Sequence, residues 1–304
     1  MPQRGIGARS YTPPMPTPAE SPYRVPFDGS FRIAEAPTTV AGAPGKKEQK
    51  ERLGELADEL DELQRRLYAS GRWAVLLIFQ ALDAAGKDGT IRAVLRKVDP
   101  AGCRVHSFKE PSPEELDHDF LWRTTLRLPP RGTLGVFNRS YYEEVLAVRV
   151  HPEFLAAQGL PHRPPLDALW EERFQSIRDH ERHLARNGTL ILKFWLNVSP
   201  EEQRQRFLSR LEEPEKHWKF AVKDVAERDH FAAYLAAYEE ALAATSRPWA
   251  PWYALPADDK PTLRVLVADI LVESLRALDL CYPEVSAADA ARFEEMRARL
   301  EDGP

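Results

Sequence analysis

The residues best suited to chemistry lie together in Asp83-Ala84-Ala85-Gly86-Lys87-Asp88-Gly89-Thr90. A Gly-Lys pair at a helix entry, directly after an apolar run, fits a turn whose backbone N–H groups converge on phosphate oxygens. The helix N-terminus adds positive potential there, and Lys87 has the reach to meet a terminal phosphate. The match to the general phosphate-loop pattern is partial, because Ala81 stands at its first glycine and Asp88 at its Ser/Thr position. Asp83 narrows the chemistry. A carboxylate within an anion-holding turn repels its ligand unless it binds Mg²⁺ or orients an attacking phosphate oxygen; the alternative is a helix cap. Asp83 and Lys87 are therefore expected catalytic residues, and Ala84 through Thr90 the expected phosphate-binding turn.

A second polar cluster, Asn138-Arg139-Ser140-Tyr141-Tyr142-Glu143-Glu144, follows the short apolar run Thr133–Phe137. Arg139, the third expected catalytic residue, can clamp a phosphate with its planar fork. Glu143 can hold a metal directly or through water, which makes Asp83 and Glu143 the two expected metal ligands. Ser140 also suits an N-cap, with the two glutamates in a favourable first turn. A third cluster comprises Arg206 and Arg210, four apart on one helical face, then Glu213-Pro214-Glu215-Lys216-His217-Trp218-Lys219-Phe220 with Lys223 beyond. A solvated charged face is the ordinary meaning of such a run. Interleaved Lys, Trp and Phe after a proline also suit a lid that excludes water from an activated phosphoryl group. Arg206, Arg210, Lys216 and Lys219 are the expected lid contacts to phosphate.

These clusters need a scaffold. Trp73–Phe79 is a continuous apolar run of strand length, as in a parallel strand covered on both faces. Further strands are expected at Cys103–Phe108, Thr133–Phe137, Thr189–Leu196 and Trp252–Leu255. A helix to about Lys97 follows the phosphate turn, and helical patterns occupy 113–123, 140–150, 166–187, 199–212, 226–245 and 260–279. Alternating strands and helices predict an α/β fold, a doubly wound parallel sheet of P-loop kinase type flanked by helices. Ligands of such sheets sit beyond the carboxyl ends of the strands. Leu53, Leu56, Leu60, Leu63 and Leu67 recur at three and four residues, giving an amphipathic helix with a narrow seam. That seam suits its own domain or a partner subunit. Residues 1–45 are proline-rich and predict an extended arm laid on the domain through Tyr23, Phe27 and Phe31. The catalytic domain is expected over 46–285, its helical lid over 206–228, and a helical tail over 286–304.

Bulk composition sets outer limits. The 304 residues are 43% hydrophobic with net charge −5, so a general positive field for nucleic acid is absent and any polyanion site must be local. Cys103 and Cys281 are expected to be buried free thiols, which suits a reducing cytosol. With neither a signal-peptide core nor a membrane-length apolar run, a cytoplasmic location without membrane association is expected. His180 and His183 lack zinc-protease spacing, and Trp195, Trp249, Trp252 and Tyr253 read as core.

Taken in order, these motifs resemble the polyphosphate kinase 2 family from about Lys47 to about Leu280. The phosphate turn resembles the family's Asp-containing Walker A motif. His118-Asp119-Phe120-Leu121-Trp122-Arg123 is similar to a segment carried between its strands. Phe137-Asn138-Arg139-Ser140-Tyr141-Tyr142 resembles its Walker B segment, and Trp218-Lys219-Phe220 with Asp224 and Arg228 its lid. Asn138 stands where the family commonly has Asp, and Glu143-Glu144 where it has Asn-Arg; these features look like the class III subgroup, which phosphorylates nucleoside mono- and diphosphates. The resemblance implies Mg²⁺, inorganic polyphosphate, and AMP, ADP and ATP as partners, and a dimer or tetramer. Lys109, Arg123, Asn138, Arg139 and Glu143 are the expected nucleotide contacts. The rival readings are an ATP-dependent nucleoside monophosphate kinase of thymidylate kinase type and a non-catalytic nucleotide-binding protein.

Overall fold

A computed structural model describes residues 15–303; Pro13 and Pro14 of the expected arm lie outside the described residues. The leucine seam forms helix α1 (Lys46–Ser70), closed by Gly71 in the left-handed region at φ 56°. Five strands follow, β1 (Ala74–Gln80), β2 (Cys103–Ser107), β3 (Leu134–Asn138), β4 (Thr189–Asn197) and β5 (Trp252–Pro256). All pairings are parallel, in the order β2-β3-β1-β4-β5. Four of these strands are buried along their whole length, as mainly apolar parallel strands covered on both faces are, and β2 forms a partly exposed edge.

Helices α2 (Lys87–Val94), α3 (Pro113–Leu116), α4 (Trp122–Thr125) and α5 (Ala147–Val150) belong to the connections near the site. Longer ones cover the sheet: α6 (Leu166–Arg186), α7 (Pro200–Glu212), α9 (Phe231–Thr245) and α10 (Lys260–Arg276), with the short α8 (Val222–Ala226) between α7 and α9. Helix α11 (Ala287–Glu301) follows, exposed along its length. One core layer joins the seam of α1 to α10, α2 and the Val75, Leu77 and Phe79 face of β1. The other joins Leu76 and Ile78 to α6 and α9. The seam leucines are buried against their own domain, which removes them as a subunit contact.

The expected helices over 113–123 and 140–150 are each broken. Asp119 accepts a hydrogen bond from the Leu121 N–H, an Asx turn that competes with helix continuation and separates α3 from α4. Ser140 caps a 3₁₀ turn, Tyr141–Val145, and the non-helical Leu146 divides it from α5. Helix α2 stops at Val94 rather than near Lys97, ahead of Pro100, and α9 starts at Phe231 after a 3₁₀ turn over Glu227–His230. The thiols also differ from expectation, since Cys103 on the edge strand is half-buried and Cys281 beyond α10 is exposed.

Within residues 15–45, which include turns and a 3₁₀ helix over Ile33–Glu35, the stretch around Tyr23–Val25 lies along the β5 edge. Val25 N–H donates to Trp252 O and Ala254 N–H to Tyr23 O, so the arm occupies hydrogen-bonding groups that would otherwise leave β5 open. Phe31 inserts edge-on against Trp195 at 6.3 Å, and Asn197 binds the Ala36 and Pro37 carbonyls. Among the described residues, no helix is long and apolar enough to cross a membrane.

Candidate active site

The turn after β1 begins with Ala81 and ends at Gly86, whose φ of 105° only glycine adopts readily. Ala84 is also left-handed at φ 63°, so the turn carries local strain beside a potential ligand. Helix α2 then starts at Lys87, leaving its first N–H groups at the mouth of the turn. Lys87 is buried and folds back, donating from Nζ to Ala81 O at 2.8 Å and Leu82 O at 3.3 Å. Burial and the charge of Arg139 push its ammonium down to about 8, against the pull of Asp83, Glu143 and Asp88.

Beside it, β3 pairs with β1 so that Asn138 lies opposite Phe79, and Arg139 N–H donates to Phe79 O at 3.0 Å. Arg139 takes φ 62°, which turns its side chain back across the seam between the strands. Its Nη2 donates to Asp83 Oδ1 at 2.7 Å and its Nη1 lies 3.8 Å from Glu143 Oε2. Burial raises the Asp83 carboxyl, yet Lys87 and Arg139 outweigh it and hold the group below its ordinary value. Glu143, then burial, then Asp83 act on Arg139, with a net rise in its affinity for its proton. The segment after Arg139 is anchored deep in the core. Lys193 Nζ donates to Tyr142 OH at 2.8 Å and Glu181 Oε2 at 2.7 Å, while both Tyr141 and Tyr142 donate to Glu181 Oε1.

A cavity of about 380 Å³ opens in front of these groups. Asp83, Arg139 and Glu143 form one wall, Lys109 and Arg123 another, and Lys223, Asp224 and Arg228 line it from the segment between α7 and α9. Arg123 is fixed by Lys109 O at 2.7 Å and lies over the Phe108 ring. Burial, with Asp83 opposite, raises the Asp224 carboxyl. Glu144 also lines the cavity but is held by Arg173 and Gln158.

Several expected contacts lie elsewhere. Arg206 is buried beneath the turn with every N–H donor already engaged by protein oxygens, so it supports the loop rather than facing a phosphate. Arg210 binds Lys219 O and Asp224 of the segment that follows α7. Lys216 pairs with Glu213 and Ser209, and Lys219 lies against the Trp218 ring. Neither lines the cavity. Asn138 donates to Asp88 Oδ1 at 2.6 Å and faces a separate groove between α2 and β2. Two cations after Phe220 do line the cavity: Lys223, noted beside the Trp-Lys-Phe segment, and Arg228, which with Asp224 carries part of the family resemblance.

A strand–turn–helix phosphate loop at the centre of a parallel sheet, with connections from β1 and β3 leaving toward opposite faces, defines a P-loop kinase-like phosphotransferase architecture. The family model "Polyphosphate kinase 2 (PPK2)" matches residues 44–280. The "ADP-polyphosphate phosphotransferase" of Rhodopseudomonas palustris is 52% identical over 280 residues, covering 89% of this chain and 97% of that one. The "AMP/ADP-polyphosphate phosphotransferase" of Meiothermus ruber is 44% identical over 268 residues, covering 88% and 96%. The crystal structure of polyphosphate kinase 2 from Arthrobacter aurescens TC1 superposes with a TM-score of 0.81 at 37% identity, covering 90% of this chain and 95% of that one. The chain belongs to the polyphosphate kinase 2 family.

Proposed function

We propose that this protein reversibly transfers the terminal phosphate of inorganic polyphosphate to nucleoside mono- and diphosphates, converting AMP to ADP and ADP to ATP. The observation that supports this reading is the pairing of Asp83 and Arg139 at the ends of adjacent strands, both lining a cavity within the size range of small-molecule sites, with Lys87 buried behind them at the start of α2. An oxygen of the acceptor nucleotide forms a bond to the terminal phosphorus, and the bridging P–O bond of the polyphosphate breaks. The shortened chain leaves with the electron pair. One anhydride replaces another, so the work of the protein is positioning and charge stabilisation rather than strong base catalysis. Lys87 and Arg139 offset the developing negative charge, and Asp83 orients the attacking oxygen.

Asp83 and Glu143 suit Mg²⁺, which takes one or two protein carboxylates and completes its shell with water and phosphate oxygens. Both carboxylates line the cavity, and Asn138 contributes no charge there. When bound, Mg²⁺ neutralises phosphate oxygens on the transferred group. Acceptance of both AMP and ADP is favoured by the Glu143-Glu144 pair that the class III resemblance singles out. The names of the relatives divide on this point, one giving ADP alone and the other AMP and ADP. A product assay with polyphosphate as sole donor, and AMP and ADP as separate acceptors, tests the proposal. ADP from AMP and ATP from ADP are expected. Turnover only when ATP is supplied would point to an ordinary monophosphate kinase, and ATP from ADP without any product from AMP would remove the class III assignment.

A further inference from the structure

The underside of the phosphate turn is held by one helix. Gln203, Arg206 and Arg210 share a face of α7, at spacings of three and four residues. Gln203 Nε2 donates to Asp83 O at 3.0 Å. Arg206 Nη1 donates to Ala84 O at 3.1 Å and Ala85 O at 2.7 Å, and Nη2 to Ala257 O at 2.7 Å and Asp258 O at 3.0 Å. Its Nε donates to Glu202 Oε1 at 2.7 Å, completing its donors. Three consecutive carbonyls of the turn therefore point at α7. In a trans peptide C=O and N–H point oppositely, so the N–H groups of Ala84 and Gly86 are turned away from α7, toward the phosphate side. One turn further along, Arg210 donates to Lys219 O and Asp224 of the lid.

We propose that Arg206, assisted by Gln203, is a positioning residue that sets the phosphate turn from below, and that α7 links the lid held by Arg210 to that turn. This rests on the phosphotransferase reading given above. Arg206 touches no reacting atom. It fixes which way the peptide planes of residues 83–86 face, in a stretch where Ala84 and Gly86 both hold positive φ and would otherwise relax. Its second fork-tine ties the same turn to the β5–α10 connection, so the anion site is stretched between two fixed points. Lys at this position has the charge but not the planar five-donor fork, so it can satisfy only part of the acceptor set.

The test is steady-state transfer from polyphosphate to ADP by Arg206→Ala, Arg206→Lys and Gln203→Met, with both substrates varied and rates normalised to folded protein. Arg206→Ala is expected to lose about 100-fold in kcat, the scale of a displacement near 1 Å, and to raise KM for polyphosphate more than KM for ADP. Arg206→Lys should recover part of the loss, and guanidinium added to Arg206→Ala should restore rate without changing its melting temperature. Wild-type kcat and KM in folded Arg206→Ala, or a loss that only tracks the unfolded fraction, overturns the assignment. If the Arg206 variants do not fold, Gln203→Met decides: a fall of about tenfold in kcat supports the role and an unchanged kcat ends it. Should wild type itself fail to make ATP from polyphosphate, the proposed function falls instead. Pyrophosphate affinity then reads the turn directly, with about a tenfold loss in Arg206→Ala, or in Gln203→Met if Arg206→Ala does not fold, supporting positioning and equal affinity contradicting it.

Discussion

Arg139 donates to Asp83 Oδ1 at 2.7 Å from the neighbouring strand end, while its other terminal nitrogen lies 3.8 Å from Glu143. One guanidinium thus spans the two carboxylates that suit a metal, at the point where two connections part. Under the proposed function, a phosphate entering the cavity would compete with Asp83 for this fork. Replacing Arg139 with Ala should cut kcat/KM for polyphosphate by about 100- to 1000-fold, the range for losing a preorganised donor to developing charge. Because the pair is partly exposed, unfolding free energy should change by no more than about 1 kcal/mol. Activity within threefold of wild type would contradict the role.

Lys87 gives the site a defined alkaline limit. Its ammonium is pushed down to about 8 by burial and Arg139, so the charged form prevails below that pH and is lost as pH rises through it. In the free enzyme, kcat/KM for polyphosphate should therefore fall above about pH 8. Bound phosphates favour the cation, so the limb in kcat should lie higher. A kcat/KM profile flat from pH 7 to about 9.5 would rule this out.

Asn138 and Asp88 meet at 2.6 Å through the amide N–H of Asn138. Asn138→Asp puts a second carboxylate at that distance, replacing attraction with like-charge repulsion. Unfolding free energy at pH 7 should drop by about 1–3 kcal/mol. Pairing the change with Asp88→Asn should restore stability. Urea unfolding of the single and double variants decides, and a double variant no better than the single one counts against the pairing.

The arm acts as part of the core. Phe31 is buried against Trp195, and Val25 hydrogen-bonds to the β5 edge. Phe31→Ala should cost about 3–5 kcal/mol in urea unfolding, the usual cost of emptying a buried phenylalanine site. A loss below about 1 kcal/mol would mean that the arm is peripheral.

The sheet was legible because the buried strands are dominated by apolar residues, with Lys193 in β4 the charged exception, and because they alternate with longer helical stretches. Strand ends differ from expectation by one residue at most, as at Leu196 against Asn197. The turn after β1 and the position of Arg139 were legible because Gly-Lys opens α2 and Asn-Arg-Ser follows the apolar run of β3. What sequence could not give was the direction of side chains in the lid. Arg206 and Arg210 are both arginines on one helical face, yet Arg206 turns beneath the loop and Arg210 toward the lid. That choice depends on where the Ala257 and Asp258 carbonyls fall, contacts 51 and 52 residues away in the chain. Likewise, the burial of the leucine seam needed α10 in place, since periodicity alone fits a partner equally well.

The most direct measurement is ATP formation from ADP and polyphosphate, with no other triphosphate present, by wild type and by Lys87→Ala and Asp83→Ala of verified fold. Rapid ATP formation by wild type and none above background in either variant is the predicted result. Wild-type rates in a folded Lys87→Ala or Asp83→Ala protein would show that phosphoryl transfer takes place somewhere other than this turn.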